Sequence, residues 1–193
     1  MPEITITAPP PRAELLGHLR LRLLESSPGM RIVAESILAE DGYVDFVGIE
    51  PDGRVTLVLV GEAGEDLELV ARGLAQRAWV ERRLGDWLQL APDLGARPEA
   101  GIRVLLFCPA FGSQSRAAAA ALGPDAPELG IYRCFRNGAA IQILVESLGS
   151  HSREPQRPHA VQAEPPAAPP VFRTGLTDSD LGLSRDERTE LEG

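Results

Sequence analysis

Six consecutive residues, Val55–Val60, read VTLVLV, with a single hydroxyl among them. A strand wetted on one side alternates apolar and polar residues, whereas one apolar at nearly every position is covered on both faces. The flanking residues define its partner. Tyr43–Ile49 and Arg54–Val60 lie either side of Glu50-Pro51-Asp52-Gly53, a turn sequence, so the two strands are expected to pair as a hairpin.

Ala13–Leu24 carries Leu15, Leu16, Leu19, Leu21, Leu23 and Leu24, which predicts a helix largely covered by other structure. It follows a short extended leader closed by Pro9-Pro10-Pro11, and Ser26-Ser27-Pro28-Gly29 stops it. Arg31–Glu40 reads as a strand ended by the Asp41-Gly42 turn. Asp66–Leu90 places Leu67, Val70, Leu74, Ala78, Glu81, Leu84 and Leu88 at helical spacing, a long amphipathic helix. Arg103–Cys108 (RVLLFC) is another buried strand. Arg116–Leu122 is a helix capped by Ser113 or Ser115. Glu128–Phe135 and Ala140–Glu146 are two strands around an Asn137-Gly138 turn.

Composition changes near Gly149. Residues 150–170 hold six Pro and four Ala, which predicts an extended linker. Residues 171–193 regain Phe172, Leu176, Leu181, Leu183 and Leu191, with helix-start signals at Thr177 and Ser184. The expected organisation is a domain over 1–149, a linker over 150–170 and a C-terminal docking peptide over 171–193. Its partner, captured through Val171–Glu192, is expected to be a protein.

Charge and residue usage narrow the function classes. All 19 basic residues are Arg and there is no Lys, so a phosphate-binding GxxxxGK[ST] loop is impossible. Residues 1–150 carry 14 Arg against 20 acids, a balance of −6. Affinity for a phosphate backbone comes mostly from Lys and Arg, so nucleic acid is a possible but disfavoured partner. Cys108 and Cys134 are far apart and read as buried thiols. No apolar run approaches the ~20 residues of a membrane-spanning helix, so no membrane association is expected and a cytoplasmic location is the default.

The order helix, three strands, long helix, strand, helix, two strands, with Val44-Asp45 before an apolar strand, resembles the restriction-endonuclease-like superfamily with its PD-(D/E)xK motif. RVLLFCPAFGSQSRAAAAAL looks like the later strand-to-helix segment of that group. The resemblance covers roughly residues 12–146. It implies an α/β fold, a restriction-endonuclease-like domain with a mixed central sheet flanked by helices.

Phosphodiester hydrolysis in that superfamily needs divalent cations on carboxylates, with a lysine beside them. The resemblance assigns the first carboxylate to Asp45, but the second acid falls on Leu59 and the lysine on Gly61. Glu62 is the nearest acid, so Asp45 and Glu62 are the candidate metal ligands, with Mg as the alternative to no cofactor. Arg54 or Arg72 is the candidate replacement for the lysine. Glu14 and Gln76 occupy elements that supply auxiliary active-site residues in some relatives, so the candidate catalytic set is Asp45, Glu62 and Gln76. Trp79 and Trp87 are expected to pack into the domain. Gly112–Ser115 is a helix start that Ser capping accounts for, with anion binding as the alternative.

The leading expectation is a catalytically inactive nuclease-like domain that acts as a binding or scaffolding module. The alternatives are a metal-dependent endonuclease with displaced catalytic residues and a protein-interaction adaptor unrelated to nucleic acid.

Overall fold

The computed structural model describes residues 4–39, 42–137 and 140–148. The expected linker and docking peptide, and the domain boundary at 149, lie outside the described residues. The chain runs β1 (Ile4–Thr7), α1 (Arg12–Ser26), β2 (Arg31–Ala39), β3 (Gly42–Ile49), β4 (Val55–Val60), α2 (Asp66–Leu90), β5 (Ile102–Cys108), α3 (Ser113–Ala120), β6 (Glu128–Asn137) and β7 (Ala140–Leu148). From α1 onward this is the element order that the sequence suggested.

The seven strands form one sheet in the order β1-β6-β5-β4-β3-β2, with β7 also paired to β6. β4, β5 and β6 are parallel, while the β2–β3, β3–β4, β1–β6 and β6–β7 pairs are antiparallel. The protein is therefore a mixed α/β fold with a central sheet flanked by helices. β4 is buried at all six positions, as its composition demands. Val55, Leu57 and Leu59 enter a core shared with α2 and α3, whereas Val58 and Val60 enter a second core beneath α1. Alternation along one strand thus feeds two layers.

Three local expectations change. Ile4–Thr7 is a strand rather than a leader: it completes the antiparallel pairing of the far half of β6, from Cys134 to Asn137. In α1 the cover is one stripe, Leu15, Leu19 and Leu23, and Leu21 is exposed. In α2 the buried residues are Leu69, Val70, Gly73, Gln76, Val80 and Leu84, so Val70 and Leu84 face the core as expected while Leu67 is exposed.

Gly73 explains that rotation. A Cβ on it would stand 2.8 Å from Leu106 Cδ2 and 3.3 Å from Val104 Cγ1, so α2 meets β5 along its glycine face. With Gly73 against the sheet, the residue three positions on must also face inward, and that residue is Gln76. Gly73→Ala gains helix propensity but overpacks a filled core. Urea denaturation is expected to show a net loss of about 1–2 kcal/mol, and an unchanged or raised midpoint would show that α2 can be held off the sheet.

Candidate functional site

β3 stays paired with β2 down to Gly42, but its pairing with β4 stops at Phe46–Val58. Beyond that point the strands diverge, and the backbone of Val60 needs partners other than a ladder. Asp45 supplies one. Its Oδ2 accepts the Val60 N–H at 2.7 Å, and its Oδ1 accepts Arg12 Nη2 at 2.7 Å. The same Arg12 nitrogen donates to the Val60 carbonyl at 3.1 Å, so both backbone groups of Val60 are satisfied. On the other side of β3, the register places Ser36 of β2 opposite Asp45, and among the described residues Ser36 is the non-glycine residue with positive φ, +53°.

Asp45 is only 2% exposed. Burial pushes its carboxyl above the usual aspartate range, against the opposing pull of the Val60 N–H, the Arg12 charge and hydrogen bond, and the Arg72 charge. Arg12 is the first residue of α1, after Pro11. A cation at a helix N-terminus opposes the helix dipole, so Arg12 sits against the local field and Asp45 compensates it.

Arg72 and Gln76 lie one turn apart on the face of α2 that meets the sheet. Arg72 is close enough for its charge to act on Asp45. Its Nε is buried without a hydrogen-bond partner among the described residues, and so are both amide atoms of Gln76. A buried amide with neither atom paired is costly.

The two positions that the superfamily resemblance reserves for an acid and a lysine are structurally spoken for. Leu59 is fully buried in the α2-side core. Gly61 donates its N–H to Phe107 O, accepts Tyr132 Oη at 3.0 Å, and has Leu69 Cδ2 3.0 Å from where a Cβ would stand. Burial pushes the Tyr132 hydroxyl up to about 12, so it remains a donor. Glu62 follows with an exposed side chain, while its backbone accepts Cys108 Sγ.

Other sequence candidates are dispersed. Arg54 sits at the turn end of β4, five residues from Leu59, which at ~3.3 Å per residue puts it well away from Asp45. Glu14 is exposed on α1, 3.9 Å from His18. Trp79 and Trp87 pack edge to face at 5.9 Å, with Arg83 over the Trp79 ring. The N-cap of α3 is Gly112, not a serine. Asp66 accepts the Gly112 N–H at 2.7 Å and the Ser115 hydroxyl at 2.6 Å, so α3 already has its anion.

With Arg12 in place, a divalent cation does not fit these residues. Among the described residues no group of three or more His, Cys, Asp or Glu could hold one, and both oxygens of Asp45 are engaged. Magnesium takes octahedral oxygen coordination anchored by one or two carboxylates, and Asp45 has both oxygens already engaged. No described helix is long and apolar enough to cross a membrane.

Two measurements check this geometry. A folded-state carboxyl raised above its ordinary range is least costly below the unfolded value, and its penalty grows as pH climbs through the folded value. Arg12→Gln removes a restraint on that rise. Its stability loss is expected to be about 2–3 kcal/mol at neutral pH and to shrink as pH falls through the raised range in which Asp45 takes up its proton. A loss independent of pH would dissociate Arg12 from the charge of Asp45. Gln76→Met keeps the volume and removes the amide, and it is expected to raise stability by about 1–2 kcal/mol in thermal or urea unfolding.

No protein-family model matches the chain, and no curated protein matches it. Solved structures similar to it include the EndoMS–dsDNA complex, at 14% identity and TM-score 0.30 over 55% of this chain and 41% of that one. A repair endonuclease from Pyrococcus abyssi matches at 13% identity and TM-score 0.35 over 66% and 48%. Pyrococcus furiosus SfsA in complex with Ca²⁺ matches at 16% identity and TM-score 0.39 over 71% and 64%. The chain thus spans less than two thirds of each of these neighbours. What its own site can do follows from the geometry above.

Proposed function

We propose that this is a restriction-endonuclease-like domain without hydrolytic activity, retained as a binding or scaffolding module. The observation that carries the reading is the filling of the Leu59 and Gly61 positions by core. Leu59 is wholly buried, and Leu69 stands against Gly61 where a longer side chain would have to pass. An acid at 59 would bury an uncompensated charge, and a lysine at 61 would first have to displace Leu69. The single carboxylate left, Asp45, spends both oxygens on Val60 and Arg12. Among the described residues no group of three or more His, Cys, Asp or Glu could hold the metal that water activation at neutral pH requires.

With no hydrolysis to perform, the domain acts through what it binds. The reading gives partner capture to Val171–Glu192, whose Phe172, Leu176, Leu181, Leu183 and Leu191 supply apolar contacts, and makes nucleic acid a secondary partner at most. Purified full-length protein is expected to leave plasmid, single-stranded DNA and RNA intact with Mg²⁺ or Mn²⁺. Metal-dependent cleavage that disappears in Asp45→Ala would replace this reading with that of an endonuclease using displaced residues.

A further inference from the structure

Two hard oxygens, Asp45 Oδ1 and the Val60 carbonyl, converge on one atom, Arg12 Nη2, at 2.7 and 3.1 Å. Carboxylate and backbone carbonyl oxygens are the ligand types that hard divalent cations take. Here the positive charge between them belongs to a side chain. We propose that Asp45 and Val60 form a two-oxygen cation cradle that Arg12 fills with its own guanidinium, so that the protein carries a tethered cation in place of a metal ion and excludes one. The proposal rests on the reading of the domain as non-hydrolytic and explains how the site stays shut.

The position of Arg12 supports a dedicated role. It enters at the first turn of α1, where the helix dipole disfavours a cation, directly after Pro9-Pro10-Pro11. Its side chain is half exposed, 46%, so it reaches the buried carboxylate from the surface, as an ion would. Nη2 carries two N–H groups, so this one nitrogen can donate to the carboxylate and to the carbonyl at once. Arg72 adds a second positive charge within range of Asp45, which disfavours any further cation there.

The experiment compares the full-length parent with Arg12→Ala, Arg12→Gln and Arg12→Ala combined with Asp45→Asn, using Mn²⁺ or Ca²⁺ alone as the probe. Mn²⁺ binding is read by electron paramagnetic resonance and folding by thermal melts. The parent is expected to bind no Mn²⁺ at this site and to keep its Tm in millimolar cation. Arg12→Ala is expected to melt lower and to recover by about 3–6 °C at ten times the Kd of the cation. Adding Asp45→Asn should abolish the recovery. Should Arg12→Ala fail to fold, Arg12→Gln removes the charge with a smaller loss of volume and gives the same comparison. Mn²⁺ bound by the parent and lost in Asp45→Asn would overturn the proposal, as would Arg12 variants that fold but show no cation-dependent shift. Either result can occur without cleavage, which separates failure of the tethered cation from failure of the non-hydrolytic reading.

Discussion

A buried carboxylate is expensive, and the arrangement around Asp45 is organised by that cost. Moving an unpaired charge out of water costs several kcal/mol even after relaxation, about the scale of a domain's whole stability. Three groups offset it: the Val60 N–H, the Arg12 guanidinium and the Arg72 charge. Each comes from a different element. Asp45 thereby ties the divergent end of the β3–β4 hairpin to the first residue of α1 and to the inner face of α2. The tie at Arg12 matters beyond electrostatics. It fixes where α1 begins, and from that start the four-residue spacing of Leu15, Leu19 and Leu23 lays the helix over Val58, Val60 and Phe107.

Gly73 sets the other side of the sheet in the same way, by absence of a side chain rather than by charge. Because α2 meets β5 along its glycine, Leu69 is carried over Gly61 and Gln76 is turned inward with both amide atoms unpaired among the described residues. One packing choice therefore both closes the space beside Gly61 and leaves a polar group inside. A domain selected for stability alone would put an apolar residue at 76. Gln76 is thus the buried group whose presence packing does not account for.

Much of the fold was readable because it follows from periodicity and turn chemistry. VTLVLV needed cover on both faces, Pro-Asp-Gly made the hairpin, and the bounds of Asp66–Leu90 are those of α2. The rotation of α2 was not readable from apolar spacing, since Leu67 fits a helical stripe as well as Leu69 does. Gly73 was the available signal, a glycine inside an otherwise strong helix. β1 escaped because four alternating residues, Ile4–Thr7, become a strand only when the long β6 offers an unpaired edge. At the site, Asp45 stood out from the hairpin pattern, but its partner did not. Arg12 lies 33 positions away, and only its awkward place at a helix start hinted that something held it there.

The exclusive use of arginine has structural consequences that bear on partners. Arg103 donates from two nitrogens to Glu128, at 2.7 and 2.6 Å, and from a third to Glu50 at 2.9 Å, while Thr56 donates to the same Glu50 oxygen. These contacts push the guanidinium above its already high range. The fork joins β5 to β6 and to the β3–β4 turn where a lysine could not serve both acids with the same geometry. Arg77 bridges Glu81 and Asp125, Arg20 holds Glu35, and Arg31 and Arg97 cap carbonyls. The exposed pairs add little stability individually, yet together they spend cationic donors inside the domain's own surface. A basic stripe that tracks a phosphate backbone needs those donors turned outward and unpaired. In this domain, with its −6 balance over residues 1–150, arginines mostly close the fold.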